Sequence, residues 1–255
     1  MRGLLSVFYG IAAYLAGLAA LLYFIGFSGN LLVPRSVDAG GAPASIALAV
    51  AVDLLLLALF GVQHSVMARQ GFKRWWTRLV PPAVERSTYL LATAAVLAVL
   101  FAFWVPIPAP VLWRIEHPAG IAFAWSLFAL GWLLVLVSSF LINHFELFGL
   151  QQVFARLRER TEPQVAFSTP SLYRLVRHPL YAGLLLGLWC VPVMSAGRLL
   201  FALGLSAYIF IGIAYEERDL VRQFGDRYRT YREQVGMLFP RLRTARPSAG
   251  VREGN

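Results

Sequence analysis

Long apolar blocks alternate with short polar ones along this chain. Leu4 to Phe27, Ala44 to His64, Ser87 to Val105 and Ala119 to Ile142 are each apolar over about the length a helix needs to cross a bilayer. A fifth block, Leu180 to Met194, is short for a span and carries Pro192. A tight turn at Ser195-Ala196-Gly197 leads into a sixth, Leu199 to Tyr215, so the last two blocks predict a helical hairpin. Between the fourth and fifth, Leu150, Val153, Phe154 and Leu157 follow helical spacing while Arg156, Arg158 and Arg160 lie elsewhere. That pattern predicts an amphipathic helix on the membrane surface.

The tail from Glu216 onward is too charged for lipid. If the helix continues, Glu217, Leu220, Val221 and Phe224 share one face, which turns Glu217 inward. Gly225 fits a helix stop and Asp226 an N-cap, with Tyr228, Tyr231 and Val235 on one side of the helix that follows. The segment after Leu242, rich in Arg, Pro and Ser, reads as disordered. The expected fold is an all-α polytopic transmembrane helical bundle of five to six segments with a C-terminal helical cap. Residues 1–142 hold the N-terminal helices, and 143–255 hold the amphipathic helix, hairpin and tail.

Composition sharpens this picture. With 58% hydrophobic residues among 255 and a mean hydropathy of +0.64, a soluble domain is excluded. The net charge of +10 would suggest nucleic acid in a soluble chain. Here the basic residues concentrate in segments 66–86, 143–177 and 216–255, so the partner is the lipid bilayer, with no nucleic acid and no protein partner evident. Positive-inside counting places those segments and both termini in the cytoplasm. Only Arg2 precedes the first block, which exceeds a signal-peptide core and reads as uncleaved. The single cysteine, Cys190, excludes an internal disulfide, a cysteine-rich zinc site and an iron–sulfur cluster. His64, His117, His144 and His178 show no metal-binding spacing, so no metal is expected. No phosphate-binding glycine loop is present.

The stretch Tyr173 to Gly183, Y-R-L-V-R-H-P-L-Y-A-G, gathers Arg174, Arg177, His178 and Tyr181 at a membrane boundary. Pro179 suits the first position of a helix and holds His178 extended. The N–H groups of that helix start favour an anion in front of it. The expected topology also brings Gln63-His64-Ser65, Asn143-His144-Phe145-Glu146, His178 and Glu216-Glu217 to one depth on one face. Ionisable groups there are functional candidates; the alternative for each histidine is an interfacial residue satisfied by backbone or water.

R-H-P-L-Y-A-G, a short hairpin, and then E-E-R-D-L-x-x-x-F-G-D-x-Y-x-x-Y resemble the integral-membrane methyltransferases related to isoprenylcysteine carboxyl methyltransferase. V-P-R-S-V-D at 33–38, V-Q-H-S-V-M-A-R at 62–69, E-R-S-T-Y at 85–89 and N-H-F-E-L-F-G-L-Q-Q-V at 143–153 extend the resemblance to the bacterial methanethiol S-methyltransferase family. Gly236 departs from the related pattern, which usually has proline there. The resemblance implies a protein of the bacterial cytoplasmic membrane with S-adenosylmethionine (SAM) as methyl donor and methanethiol, a small thiol, as acceptor. Arg177, His178, Pro179, Tyr181, Gly183, Glu216, Glu217, Tyr228 and Tyr231 are then the expected donor-binding residues. Glu217, or else Glu216, would meet the ammonium or ribose, and Tyr181 the adenine or ribose. Because the thiolate is the nucleophile, a base is needed. His64 or His144 is the candidate, with Glu146 as orienting partner or second base. Other acceptors on the same scaffold (a prenylcysteine carboxylate or a lipid amine), a sterol-reductase-like enzyme, and a non-catalytic membrane protein resembling the denitrification-associated family are the competing expectations.

Overall fold

The computed structural model describes residues 2–41, 44–158 and 168–241. Helix α1 (Arg2–Gly29) is followed by α2 (Ile46–Ala68), whose N-cap Ser45 accepts from the Leu48 N–H. The short α3 (Gln70–Trp76) comes next, then α4 (Glu85–Phe103), which stops before the prolines at 106, 108 and 110. Strand β1 (Val111–Arg114) precedes α5 (Pro118–Ile142), which starts at Pro118 with His117 as its cap. The basic segment holds α6 (His144–Leu147) and α7 (Leu150–Leu157). Helix α8 (Pro179–Trp189), strand β2 (Val193–Ser195), α9 (Ala196–Phe224) and α10 (Asp226–Gln234) complete the chain. Among the described residues, α1, α2, α4, α5 and α9 lie in stretches long and apolar enough to cross a membrane. Leu4, Phe8, Leu15, Leu55, Phe123, Leu133 and Phe210 point their side chains outward from the bundle, which only lipid makes favourable. This is an all-α integral membrane protein.

Two ends of the bundle differ in chemistry. At the neutral end the loop after α1 meets the end of α4, where the Trp104 indole donates to the Val37 carbonyl at 3.1 Å, and the Val105 N–H donates to Asp53 of α2 at 2.9 Å. Strands β1 and β2 pair antiparallel there, and the Gly197 N–H donates to the Ile107 carbonyl. Asp38 from the first loop accepts from Ser195 and forms a buried ion pair with Arg198 at 3.4 Å. Below this strap Phe24, Phe27, Phe101, Trp104 and Phe201 interlock as an aromatic core.

The last two blocks form an antiparallel pair, as expected, but their junction differs. Helix α8 is only 11 residues, about 16 Å. The extended Cys190–Ser195 segment carries the chain the rest of the way, because β2 pairs with the strand of the opposite loop. Ser195 is no free turn: its hydroxyl caps α9 by accepting from the Arg198 N–H. The sixth span therefore begins at Ala196 and runs unbroken to Phe224, taking Glu216 and Glu217 with it. Among the described residues five helices are long enough to cross a membrane, and α8 with the extended segment after it lies antiparallel to α9.

Glycine contact explains how α8 finds its place. A side chain on Gly183 would meet the Gly131 carbonyl at 2.5 Å, and one on Gly131 would meet the Gly187 nitrogen at 2.6 Å. Helices α5 and α8 thus pack backbone to backbone.

At the basic end, α7 is docked rather than free on the membrane surface. Leu150 and Val153 are buried, with Val153 against Gly10 of α1, and Phe154 and Leu157 are the exposed ones of its four periodic apolar residues. Gly225, at φ +57°, ends α9 and itself occupies the N-cap place of α10, so Asp226 is the first helical residue instead of the cap. Arg160 and the chain beyond Arg241 lie outside the described residues.

Candidate active site

Three segments converge at the basic end. The tail residues 235–237 run beside 176–178, with the Arg177 N–H donating to the Gly236 carbonyl at 2.8 Å and the His178 N–H to the Met237 carbonyl at 3.1 Å. The departure at Gly236 leaves this pairing intact, because the bond uses its carbonyl. Pro179 starts α8 and lies fully buried, which pins His178 at the helix mouth. Across from it, Glu217 projects inward from α9.

Glu217 is the hub. Its Oε1 accepts from Arg177 Nε at 2.8 Å and lies 3.2 Å from His178 Nε2, while Oε2 is 3.7 Å from Arg232. Arg177 also donates to the carbonyls of Arg232 at 3.0 Å and Val235 at 2.5 Å. His178 is 4% exposed and Glu217 13%, so water screens this cluster little. Glu216, at 44%, keeps an open carboxylate 3.9 Å from His178 Nδ1. The Tyr181 hydroxyl hydrogen-bonds Glu216, and its ring lies 5.6 Å from that of His178.

Tyrosines close the tail side. The Tyr231 hydroxyl donates to the Tyr173 carbonyl at 2.5 Å, and the Tyr231 ring packs on the buried Tyr228. Burial pushes the Tyr231 phenol up to about 12, and burial with the Glu217 charge pushes Tyr228 higher still. Both stay protonated at neutral pH.

The histidines expected as bases part company. His64 sits among the rings of Phe60, Tyr89 and Tyr208 at 5.3, 4.9 and 6.1 Å, and its Nδ1 is 3.2 Å from the Thr93 hydroxyl. Tyr89 and Tyr208 are both within electrostatic reach of the Tyr181 hydroxyl. His64 is thus linked to Tyr181 through these two tyrosines. His144 is elsewhere. Its Nε2 meets the Tyr14 hydroxyl at 3.0 Å, its Nδ1 meets the Ser139 hydroxyl at 2.9 Å, and its ring stacks on Phe140 at 4.2 Å. Glu146 does not orient it: the carboxylate accepts from Asn143 and closes a local turn. Gly183 serves the α5–α8 contact and has no room for a ligand.

Sequence reasoning missed Tyr89, Tyr208, Thr93 and Arg232. Tyr89 lies in the E-R-S-T-Y stretch, whereas Tyr208 is one aromatic in an apolar span and gave no signal.

The cluster combines carboxylate oxygens, the first-turn N–H groups of α8 and aromatic faces, and among the described residues His64 Nε2 makes no hydrogen bond. Residues 119–227 match the phospholipid methyltransferase family. The chain is similar to methanethiol S-methyltransferase of Mycobacterium tuberculosis, 51% identical over 94% of this chain and 98% of that protein. Methanethiol S-methyltransferase 1 of Bradyrhizobium diazoefficiens is 51% identical over 92% of this chain and 82% of its own length. The methanethiol S-methyltransferase of Pseudomonas deceptionensis is 51% identical over 84% of this chain and 81% of its own. No solved structure matches.

Proposed function

The chain belongs to the methanethiol S-methyltransferase family, and from that premise we propose that it methylates methanethiol to dimethyl sulfide, with SAM as donor, at the cytoplasmic face of the bacterial inner membrane. The distribution of basic residues supports that orientation, with both termini in the cytoplasm. The observation that carries the reading is the buried Arg177–Glu217–His178 cluster beside the open Glu216 carboxylate.

The donor set fits SAM. Glu216 and Glu217 suit its ammonium or ribose hydroxyls, and the free N–H groups of Leu180 and Tyr181 at the start of α8 suit its carboxylate. Tyr181 offers a face to its adenine or sulfonium. Pro179 and Gly183 contribute by fixing α8, and Tyr228 and Tyr231 by closing the tail. Arg177 acts as a strut: its guanidinium is taken by Glu217 and two carbonyls, so it holds Glu217 in place for the donor. When bound, SAM supplies an electrophilic methyl group on a sulfonium.

On the acceptor side, His64 takes the thiol proton. With SAM held there, the thiolate would take its methyl group, the methyl–sulfonium bond breaking as the new carbon–sulfur bond forms, to give dimethyl sulfide and the donor's neutral thioether. The proton leaves His64 for water. Opposite charges cancel in this step, and the apolar rings of Phe60, Tyr89 and Tyr208 exclude water that would otherwise solvate them.

Headspace detection of dimethyl sulfide from purified protein given SAM and methanethiol tests the proposal. His178→Ala should abolish product and SAM binding together. Binding of SAM without any product from the wild type would discard methanethiol as the acceptor.

A further inference from the structure

We propose that Thr93 is a positioning residue that fixes the tautomer of His64, so that Nε2 is the atom that receives the acceptor's proton. The inference rests on the methyl-transfer reading above. It follows from counting protons on one hydroxyl.

The Thr93 side chain, buried in α4, has one proton to give and two lone pairs to receive. Its proton goes to the Tyr89 carbonyl one turn earlier, at 2.9 Å. One lone pair receives the Gln63 amide, whose Nε2 lies 3.4 Å away and also reaches the Met67 sulfur at 3.2 Å. The other faces His64 Nδ1 at 3.2 Å. With the hydroxyl proton committed to the carbonyl, Nδ1 must be the donor, and a neutral imidazole that donates from Nδ1 carries its lone pair on Nε2.

Nε2 makes no hydrogen bond among the described residues. Rings hold it in place: Phe60 stacks on the imidazole, and Tyr208, itself hydrogen-bonded to Ser65, meets it edge-on. His144 provides the contrast, since Tyr14 and Ser139 occupy both of its nitrogens. Of the two histidines, only His64 is built to give up a lone pair to a ligand.

Two substitutions and two acceptors test this. Thr93→Val keeps the shape and removes the acceptor for Nδ1–H, whereas Thr93→Ser keeps that acceptor. Methaneselenol matches methanethiol in shape but ionises without help, so it bypasses a base. Turnover of both acceptors is measured alongside SAM affinity by calorimetry. Thr93→Val should lower methanethiol turnover about 10- to 100-fold, as loss of a partner that orients a metal-bound histidine does. It should leave SAM affinity within about twofold and spare methaneselenol, and Thr93→Ser should stay near wild type. Equal loss of both acceptors in Thr93→Val, or no loss of either, overturns the assignment. A wild type that methylates neither acceptor while binding SAM would instead overturn the underlying reading.

Discussion

Glu217 gathers Arg177, Arg232 and His178 around one carboxylate, and Arg177 spends its remaining donors on two carbonyls. Removing that carboxylate's charge leaves a guanidinium nearly buried with no full counter-charge. Glu217→Gln should destabilise the protein by about 3 kcal/mol, read as a lower melting temperature in detergent, and should weaken SAM binding about tenfold or more. His144 makes a prediction of opposite chemistry. Burial depresses its pKa in the folded protein, so the unfolded chain binds the extra proton first. Its contribution to stability is complete above the ordinary histidine value of 6.5 and is lost as pH falls below it. Melting temperature should drop on acidification in the wild type and drop less in His144→Gln. In the sequence His64 and His144 looked alike, each a histidine beside an amide at a helix end. What separates them is which side chains of other helices reach their nitrogens, and one-dimensional spacing carries no trace of that.

At the scale of elements, the apolar blocks announced the long helices and their order because a bilayer demands about 20 apolar residues in a row. The strap at the neutral end was invisible for the converse reason. Its strands are four and three residues long and lie in proline-rich connections, too short for any alternation to register. Likewise, the course of α9 through Glu216 and Glu217 reads as a membrane exit in hydropathy, although the helix has no reason to stop before Gly225. The α5–α8 seam gives the sharpest test at this scale. Gly183→Leu forces a side chain into the Gly131 backbone and should lower stability by about 1–3 kcal/mol or displace α8. Leu203→Ala, on the exposed side of α9, should change little. Thermal unfolding of the two variants side by side checks the difference.

For the whole molecule, the sidedness of charge makes a direct prediction. With Cys190 replaced by serine, Ala44→Cys at the neutral end should react with an impermeant maleimide in spheroplasts, the cells stripped of their outer membrane. Gln234→Cys at the basic end should react only after the membrane is opened. The reverse pattern would invert the topology and put the site on the wrong side for a cytoplasmic donor. Packing crosses residue 142, since α7 leans on α1 and α8 on α5.

The clamp formed by Arg177 carries one more implication. The same guanidinium grips the tail carbonyls at 232 and 235 and the carboxylate proposed to meet the donor. Peeling the tail away therefore unmoors Glu217, and occupancy of Glu217 by a ligand is felt in the tail. Such linkage is reciprocal: where the tail opens and closes faster than protease cuts near residue 235, the factor by which saturating SAM slows cleavage equals the factor by which tail closure strengthens the grip on SAM. The C-terminal segment is then an effector that the enzyme carries on its own chain.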